Sequence, residues 1–342
     1  MGQYINFIRY NVALPNTRRI GIYDSNGNRV CRIPLGGLTP PNMAQKLYSF
    51  GALSDIHLPM QTGEEDFQKA MLYLTNIEKV DFVTICGDLT YNGTNEELSN
   101  YKTKVNSYQG NTPVYAITGN HENYSNGVAQ GDIAGRIEAY TGYPLYYSFT
   151  KGSDVYIMVG VRSNSAKDED PLFTIAELQW LHETLEANRN KRCFVFEHVF
   201  PYDGSGDVLD AYGTDLLAGN CGKVFLALMR HYKNVIWFHG HSHVKFDGQI
   251  YGYMANIDTI YGMYSLHIPS LCYPAEGDAD RGYLYAESEG YVVDVYENGI
   301  HLRGRDFAYN TYEGRWLPIA SYWLDTTLKE IPANSYTGPL PG

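Results

Sequence analysis

From residue 48 onward, segments with the pattern of strands alternate with segments with the pattern of helices. The run YSFGALSD, which begins at Tyr48, is typical of a buried strand, and the segment after it repeats apolar residues at the spacing of one helix face. DFVTIC at residues 81–86 and PVYAI at residues 113–117 predict two further strands. Because this repetition is typical of parallel strands joined by helical crossovers, we expect the loops at the carboxyl ends of the strands to lie together.

The second half of the chain continues this pattern. Four further runs predict strands, namely YYSFT, DVYIMVGV, CFVFE and VIWFH. Thr94 with Glu97 has the spacing of a capping box, which predicts a helix start, and the same pair recurs at Thr174. Asn298-Gly299 lies between two alternating runs and predicts a β-hairpin. We therefore expect an α/β fold with two sheets of mixed strand direction, flanked by helices.

Two segments lie outside the main alternation. Residues 1–45 contain the turn signal Asn26-Gly27 between strand-like runs, and we expect them to form a β-hairpin extension packed on the core. Residues 46–307 are predicted to form the main domain, and residues 308–342, which mix Tyr, Trp and Pro, an aromatic C-terminal tail. Either extension offers a surface for an oligomer contact or for attachment to a larger assembly.

Composition and charge narrow the classes of partner. The formal net charge is −12 and no run of Lys or Arg occurs. A nucleic-acid groove, which neutralises phosphates with basic side chains, is therefore not expected. The five cysteines are widely spaced and contain no C-x-x-C pair, so no disulfide framework is expected. The sequence shows no apolar stretch of about 18 residues and no secretory signal, which predicts a cytoplasmic protein without a membrane span.

Each of five predicted strands is followed by residues that can bind a metal ion. The set comprises Asp55, His57, Asp88, Asn120, His121, His198, His241 and His243. Carboxylates and imidazoles together suit divalent transition metals. Two such ions about 3.5–4 Å apart can share a carboxylate, activate a water and bind both oxygens of a phosphoryl transfer. Asn120 would add a neutral oxygen ligand, and Gly87, Gly119 and Gly240 would let the backbone turn closely around the ions.

In these blocks the sequence resembles the calcineurin-like metallophosphoesterase superfamily. The matching blocks are D-x-H at residues 55–57, G-D at 87–88, G-N-H-E at 119–122, a strand-end His198, and G-H-x-H at 240–243. Each block is short, but their order and their position after strands are specific, and together they extend from about residue 48 to 305. The resemblance implies a four-layer α/β/β/α sandwich of two mixed β-sheets flanked by helices, with residues 46–307 as the catalytic domain.

The resemblance also implies a division of the ligands between two metal ions. The first ion would be held by Asp55, His57, Asp88 and His243, and the second by Asp88 as a bridge with Asn120, His198 and His241. His121 would protonate the leaving oxygen or stabilise the phosphate in the transition state, so we assign catalytic roles to His121, Asp88 and Asn120. The ions would be divalent or trivalent Mn, Fe or Zn, all of which accept this ligand set.

Two departures concern the substrate side of the site. GDLTY and VFEH also resemble blocks of the purple acid phosphatase branch, in which a tyrosine at the position of Tyr91 binds ferric iron. That branch has glycine at the position of His57, so we expect Tyr91 beside the site or facing the substrate. The usual His-Pro run after the fourth block is replaced by HVFP at residues 198–201. The resemblance therefore does not define the substrate loop that follows His198. Candidate substrate contacts are Tyr91, Asn92, Asn123, Tyr124 and Tyr202.

We therefore expect a dinuclear metal-dependent phosphoesterase that cleaves a small-molecule phosphate ester with a metal-bridging hydroxide. His57 slightly favours a phosphodiester substrate, as in the cyclic-nucleotide and glycerophosphodiester branch, and a phosphomonoesterase nearer to the purple acid phosphatases is the alternative. A non-catalytic scaffold or binding module on the same fold is the alternative from another class. The presence of every expected ligand and of His121 argues against that second alternative.

Overall fold

The fold is described from a computed structural model. It describes residues 19–23, 29–34, 45–60, 62–124, 132–163, 172–201, 217, 219–246, 249–250, 253–254, 257–258, 263–275, 287–308 and 315–327. Within these ranges no helix is both long enough and apolar enough to cross a membrane. The cytoplasmic location expected from the sequence stays a prediction.

The strands and helices within these ranges follow the alternation that the sequence predicts. The strands are β1 (Arg19–Tyr23), β2 (Arg29–Pro34), β3 (Tyr48–Leu53), β4 (Phe82–Cys86), β5 (Val114–Ile117), β6 (Tyr146–Lys151), β7 (Asp154–Val159), β8 (Cys193–Glu197), β9 (Val235–His239), β10 (Gln249–Ile250), β11 (Tyr253–Met254), β12 (Ile257–Asp258), β13 (Tyr264–His267), β14 (Glu289–Tyr296), β15 (Gly299–Asp306) and β16 (Arg315–Asp325). The helices are α1 (Gly63–Leu72), α2 (Asn95–Tyr108), α3 (Ile133–Thr141), α4 (Ile175–Ala187) and α5 (Asn220–His231). A π-helical turn, Tyr73–Glu78, extends α1, and a 3-10 turn spans His121–Asn123.

Two large sheets of mixed direction form the centre of the molecule. The first has the strand order β16-β15-β14-β3-β4-β5, in which β3, β4 and β5 run parallel. The second has the order β12-β13-β9-β8-β7-β6, in which β13, β9, β8 and β7 run parallel. The parallel strands form the middle or one side of each sheet, so their carboxyl ends supply loops to one edge.

Three apolar clusters separate the layers. The inner cluster joins side chains of both sheets, and Phe50 of β3 stacks on Phe82 of β4 with ring centroids 5.1 Å apart. A second cluster packs α1, α2 and α3 on the outer face of the first sheet, and a third packs α4 and α5 on the second sheet. The order of layers is therefore helix, sheet, sheet, helix. This confirms the predicted α/β class and the two mixed sheets flanked by helices.

The helix starts agree with the capping signals in the sequence. Thr94 accepts a hydrogen bond from the backbone N–H of Glu97, and the Glu97 carboxylate accepts one in return from the Thr94 backbone. The same reciprocal pair at Thr174 and Glu177 begins α4. Since each box satisfies backbone donors that a helix start leaves without partners, both starts are encoded in four neighbouring residues.

The hairpin between β14 and β15 is present, but its turn lies one residue earlier than Asn298-Gly299. Tyr296 pairs with Gly299, so Glu297 and Asn298 form the turn and Gly299 is already in β15. A side chain at Gly299 would collide with the ring of Trp323 and the carbonyl of Leu324. Glycine is therefore needed at this position for the close approach of β16 rather than for the turn.

The C-terminal extension adds an edge strand to the first sheet, and the N-terminal extension forms a separate two-stranded sheet beside that edge. β1 and β2 pair antiparallel around the Asn26-Gly27 signal, whose own residues lie outside the described ranges, and β2 lies beside β16. β16 lies within residues 308–342 and pairs with β15 through a register shift between Arg303 and Arg305. Pro318 falls at that irregularity, where a residue without a backbone N–H is tolerated. The division into three parts stays a prediction.

Candidate metal centre

The predicted ligands converge at the carboxyl ends of strands from both sheets. Asp55 and His57 follow β3, Asp88 follows β4, and Asn120 follows β5 in the first sheet. His198 follows β8, and His241 and His243 follow β9 in the second sheet. All seven side chains are buried. The sandwich thus places loops that are distant in sequence around one enclosed centre.

The backbone at this centre adopts an unusual conformation. Among the described non-glycine residues, six have positive φ, and five of these are predicted ligands. They are Asp55 at 53°, His57 at 45°, Asp88 at 50°, His241 at 72° and His243 at 60°. A positive φ costs an ordinary residue about 1–3 kcal/mol, and such residues cluster at functional sites. Backbone hydrogen bonds between the loops hold this conformation. Two of them are donated by the Asp55 N–H to the Gly87 carbonyl (3.2 Å) and by the His57 N–H to the Asp88 carbonyl (3.0 Å).

Four ligands form a first group. The Nε2 atom of His243 lies 3.0 Å from Asp55 Oδ1 and 3.1 Å from His57 Nε2. His57 Nε2 is also 3.7 Å from Asp88 Oδ2 and 3.8 Å from Asp55 Oδ1. Atoms bound to one ion at about 2.0–2.2 Å lie roughly 3–3.6 Å from one another. The four side chains are therefore spaced to surround a single cation.

A second group shares Asp88 with the first. His198 Nε2 lies 3.2 Å from Asp88 Oδ2, and one ligand atom each of Asp88, His198 and His241 lie within 4.8 Å of one another. Asn120 donates from its Nδ2 to the hydroxyl of Tyr124 at 3.0 Å. Its Oδ1 atom is buried and makes no hydrogen bond with any described residue. The shared carboxylate and this oxygen match the ligand set expected for a second cation.

Buried atoms without hydrogen-bond partners test whether the residues fit bound ions. Asp55 Oδ1, Asp88 Oδ2, Asn120 Oδ1 and His198 Nε2 are buried and make no hydrogen bond within the described part of the chain. Leaving such an atom unsatisfied costs about 1–3 kcal/mol, and more for a charged group. These four atoms face one another within the two groups above, although buried atoms elsewhere, such as Asp66 Oδ2 and Glu197 Oε2, also lack hydrogen bonds within the described residues. The donor set and the unsatisfied atoms therefore fit a pair of cations.

Hydrogen bonds outside the two groups orient the ligands. The Nδ1–H of His198 donates to the carbonyl of Cys86 at 2.7 Å, which directs Nε2 toward Asp88. Asp55 accepts the backbone N–H of His241 at Oδ2 (3.1 Å), and Asp88 accepts that of His121 at Oδ1 (2.9 Å). Each carboxylate thus uses one oxygen in the fold and turns the other toward the centre.

Charge within the centre suits cation binding. Burial opposes ionisation of Asp88, but the neighbouring His198 and His121 hold the pKa of the Asp88 carboxyl well below its ordinary value. Burial, together with the charge of His198, lowers the pKa of His241 to about 3. His198 differs, because Asp88 and Asp55 overcome its burial and raise its pKa to about 10. This proton compensates the two carboxylates, and a bound cation would take its place, because imidazole binds a metal only in its neutral form.

His121 lies at the mouth of the centre. Its Nδ1 is 2.6 Å from the carbonyl oxygen of Tyr91, and its Nε2 is 3.9 Å from Asp88 Oδ2. The side chain is 16% exposed, whereas the His57 ring 4.5 Å away is fully buried. The hydrogen bond to a carbonyl orients the ring so that Nε2 faces both the shared carboxylate and the open side.

The other predicted contacts divide into two kinds. Tyr91 and Tyr124 expose about two-fifths of their surface beside His121. Asn92 donates from its side chain to Glu97 at 2.9 Å, and Asn123 donates to the carbonyls of Gly119 and Val161. The amide nitrogens of these asparagines are therefore used within the fold. Tyr202 lies outside the described residues.

Two residues near the centre have roles that the sequence did not suggest. The ring of Tyr273 lies 4.9 Å from that of His57 and 4.5 Å from that of His243, and no local pattern marks it. Glu122 is fully buried and accepts from the backbone N–H groups of Thr90 and Gly119. Burial, followed by the charge of Asp88, raises the pKa of Glu122 to about 8. The position of Glu122 in the G-N-H-E block was the only sequence feature that could have indicated its role.

His239 directly precedes the G-H-x-H block at residues 240–243. It is the last residue of β9, is fully buried, and places its Nε2 3.1 Å from the Ser265 hydroxyl. It belongs to neither group of ligands.

Comparison with known proteins gives a family and a fold. The family model of the calcineurin-like phosphoesterases matches residues 48–245. No curated protein sequence matches the chain. Among solved structures, GAP50, described as the anchor in the inner membrane complex of Plasmodium, is similar with a TM-score of 0.54 and 15% identity, over 82% of this chain and 89% of that one.

Two other similar structures share less of the geometry. A predicted phosphoesterase from Streptococcus pneumoniae has a TM-score of 0.36 and 14% identity, over 81% of this chain and 97% of its own. Vacuolar protein sorting 29 of Cryptosporidium parvum has a TM-score of 0.36 and 12% identity, over 82% of this chain and 100% of its own. At these identities the similarities concern the fold alone.

Proposed function

Because the chain belongs to the calcineurin-like phosphoesterase family, we propose that it hydrolyses phosphate esters at a centre of two metal ions. One observation carries the proposal most directly. The Asp88 carboxylate is shared by two groups of buried ligands and keeps one oxygen without a hydrogen bond inside them. A bridging carboxylate of this kind is what a pair of closely spaced cations requires.

We assign the ligands as the two groups divide them. Asp55, His57, Asp88 and His243 would hold the first ion, and Asp88, Asn120, His198 and His241 the second. The grouping of ligand atoms within 4.8 Å of one another supports this division. His198 Nε2 lies closer to Asp88 Oδ2 (3.2 Å) than to Asp55 Oδ1 (3.8 Å). Mn, Fe and Zn all accept mixed oxygen and imidazole ligands, so the donor set suits any of them.

Two bound cations would supply an activated water and neutralise the charge of the phosphate. The chain itself orients the groups around that phosphate. With Nδ1–H of His121 directed at the Tyr91 carbonyl, a protonated ring carries its second proton on Nε2, which faces the centre. From there it can donate to the leaving oxygen or to a phosphoryl oxygen in the transition state. Asn120 and Asp88 support the same step as ligands.

The substrate is a small-molecule phosphate ester, and a diester is slightly favoured. The fully buried His57 contributes to the first group, and its presence is the feature that separates this site from the purple acid phosphatase branch. A phosphomonoesterase is the alternative within the class. Tyr91 agrees with this separation, because its ring centroid lies 6.1 Å from that of His57 and it is 38% exposed, unlike the buried ligands.

A non-catalytic scaffold is the second candidate. GAP50 is described as an anchor, and its structure is similar to this one at a TM-score of 0.54. The pair of β1 and β2 beside β16 would offer the contact surface for a protein partner or for a second copy. The complete set of ligands makes this the weaker candidate.

The test uses the full chain, stripped of metal and reloaded with Mn²⁺. Hydrolysis of bis-(p-nitrophenyl) phosphate is compared with that of p-nitrophenyl phosphate under the same conditions. Faster cleavage of the diester supports the proposal. Faster cleavage of the monoester would support phosphate-ester hydrolysis but would make the protein a phosphomonoesterase. Bound metal without turnover of either ester would overturn the enzymatic proposal in favour of the scaffold.

A further inference from the structure

Two tyrosines beside His121 expose their rings at the mouth of the centre. Tyr91 is 38% exposed and Tyr124 is 39% exposed. Their ring centroids lie 5.6 Å and 4.2 Å from that of His121. Two exposed aromatic rings thus lie beside the histidine assigned to catalysis.

Hydrogen bonds within the site hold the backbone of Tyr91 and the ring of Tyr124. The backbone N–H of Tyr91 donates to the Leu58 carbonyl at 3.0 Å, and its carbonyl faces His121 Nδ1 at 2.6 Å. The hydroxyl of Tyr124 accepts from Asn120 Nδ2 at 3.0 Å. Rings held in place lose little further freedom when they stack on a ligand.

The position of the rings relative to the phosphate gives them a function. His121 Nε2 lies 3.9 Å from Asp88 Oδ2, so a phosphate held between the ions touches His121 on its open side. A group esterified to that phosphate on the His121 side would lie beside Tyr91 and Tyr124. A planar aromatic group has the surface that these rings can stack on, and stacking of this kind tolerates different ring systems.

We propose that the site selects phosphate esters that carry an aromatic ring next to the phosphate, an aryl group or a nucleobase, which stacks on Tyr91 and Tyr124. This selection rests on the proposed function, because the metal-bound phosphate places the ring. It separates such substrates from esters of glycerol or other saturated alcohols, which present no π surface to the tyrosines.

The experiment measures binding rather than turnover, so that reactivity of the leaving group plays no part. Inorganic phosphate, methylphosphonate, cyclohexylphosphonate and phenylphosphonate are titrated calorimetrically into the Mn²⁺-loaded full chain. Phenylphosphonate should bind roughly 5- to 150-fold more tightly than methylphosphonate, the range typical of a stacked base. Cyclohexylphosphonate, of similar size and equal charge, should fall clearly below phenylphosphonate. Equal affinities for these two would overturn the aromatic selection.

The variant Tyr91→Ala should remove most of the preference for phenylphosphonate over methylphosphonate. Tyr108→Ala is the matched control, because Tyr108 ends α2, a helix of 14 residues that begins beside the site and therefore extends about 20 Å away from it. An unchanged preference in Tyr91→Ala would overturn the role of that ring. The comparison of the four ligands on the parent chain decides the proposal even if the variant does not fold.

A further arm separates the two sources of the ring. The phosphonate analogue of thymidine 5′-phosphate is compared with that of deoxyribose 5-phosphate, which lacks the base. A gain from the base assigns the site to nucleotides, and a gain confined to phenylphosphonate assigns it to aryl esters. If no ligand, including inorganic phosphate, binds the metal-loaded chain, the proposed function fails. If phosphate and methylphosphonate bind but no ring adds affinity, only the present proposal fails.

Discussion

His57 Nε2 and His243 Nε2 lie 3.1 Å apart, although 186 residues separate them in the chain. One follows β3 in the first sheet and the other follows β9 in the second sheet. Asp55 Oδ1 approaches the same atom of His243 to 3.0 Å. A cation bound between them would therefore join the two sheets at their common edge, and its removal would leave these ligand atoms crowded together.

Loss of the shared carboxylate should release both ions, because Asp88 belongs to both groups. Asp88→Ala is therefore expected to bind no metal tightly and to lose activity. His241→Ala should retain only the first ion, since His241 belongs to the second group alone. Metal content after gel filtration, measured by inductively coupled plasma mass spectrometry, checks both expectations.

The matched control for His241 is His182→Ala, which removes an exposed histidine of α4 whose Nδ1 lies 2.9 Å from the Tyr232 hydroxyl. This variant should bind both ions. Full metal content in Asp88→Ala would show that the carboxylate is not a bridge.

His121 should affect the rate without affecting the metals. His121→Ala is expected to bind two ions and to lose about 10²–10⁴-fold in kcat, the range for removal of a general acid. The reason is its position, since Nε2 faces Asp88 from the open side while all the assigned ligands are buried. Metal content and kcat are measured on the same preparation. A variant depleted of metal would instead place His121 among the ligands.

The stability of α1 should depend on pH through Asp66. Burial raises the pKa of the Asp66 carboxyl to about 7, from an ordinary value of 3.8. Between these values the folded chain holds a proton that the unfolded chain has lost, so this carboxyl makes the fold less stable as the pH rises through the window. Asp66→Asn removes the effect. As the pH is raised from about 4 to about 8, its free energy of unfolding should increase relative to that of the parent chain by up to about 4 kcal/mol.

Urea denaturation at the two pH values measures this difference. Glu65→Gln on the same helix is the control with the opposite sign, because hydrogen bonding and charge from Lys69 lower the pKa of Glu65. Its small contribution to stability is present at high pH and is lost as the pH falls. A difference between Asp66→Asn and the parent chain that does not vary with pH would contradict the prediction.

Gly119 should be intolerant of a side chain although its φ is not positive. A Cβ there would collide with Asp88 Oδ1 and would lie 2.5 Å from the Asp88 backbone nitrogen and 2.7 Å from His198 Cδ2. Gly119→Ala is therefore expected to displace two assigned ligands and to lower metal affinity more than 10-fold. Titration with Mn²⁺ monitored by calorimetry checks the affinity.

Gly135→Ala is the matched control for this substitution. Gly135 lies in α3 and has open space where the Cβ would be, so alanine should stabilise the chain by about 0.5–1 kcal/mol and leave metal affinity unchanged. Equal metal affinity in Gly119→Ala and the parent chain would show that the loops can move apart without loss of the site.

Features encoded by neighbouring residues could be predicted from the sequence. The capping boxes at Thr94 and Thr174 and the strands that precede Asp55 and Asp88 arise from spacing within a few residues. Because parallel strands place their carboxyl ends together, the order of strands and polar residues also predicted that the ligands converge. The family resemblance supplied their division between two ions, which stays a proposal.

Other features depend on contacts between distant segments. Tyr273 contacts His57 and His243 only because the loop after β13 folds over the first group. The exposure of Tyr91 and Tyr124 depends on how closely other segments of the chain pack against them. Glycine is needed at position 299 because the ring of Trp323, on the neighbouring strand β16, occupies the space of a Cβ.

The sequence by itself determined the alternation of strands and helices, the capping residues and the identity of the residues at the strand ends, because periodicity and caps act over one or two turns of chain. Only the tertiary structure decided the positive φ of Asp55 and His243, the aromatic rim beside His121 and the strand that residues 315–325 add to the first sheet. Each of these depends on long-range packing, whose free energy is distributed over residues that no local pattern connects.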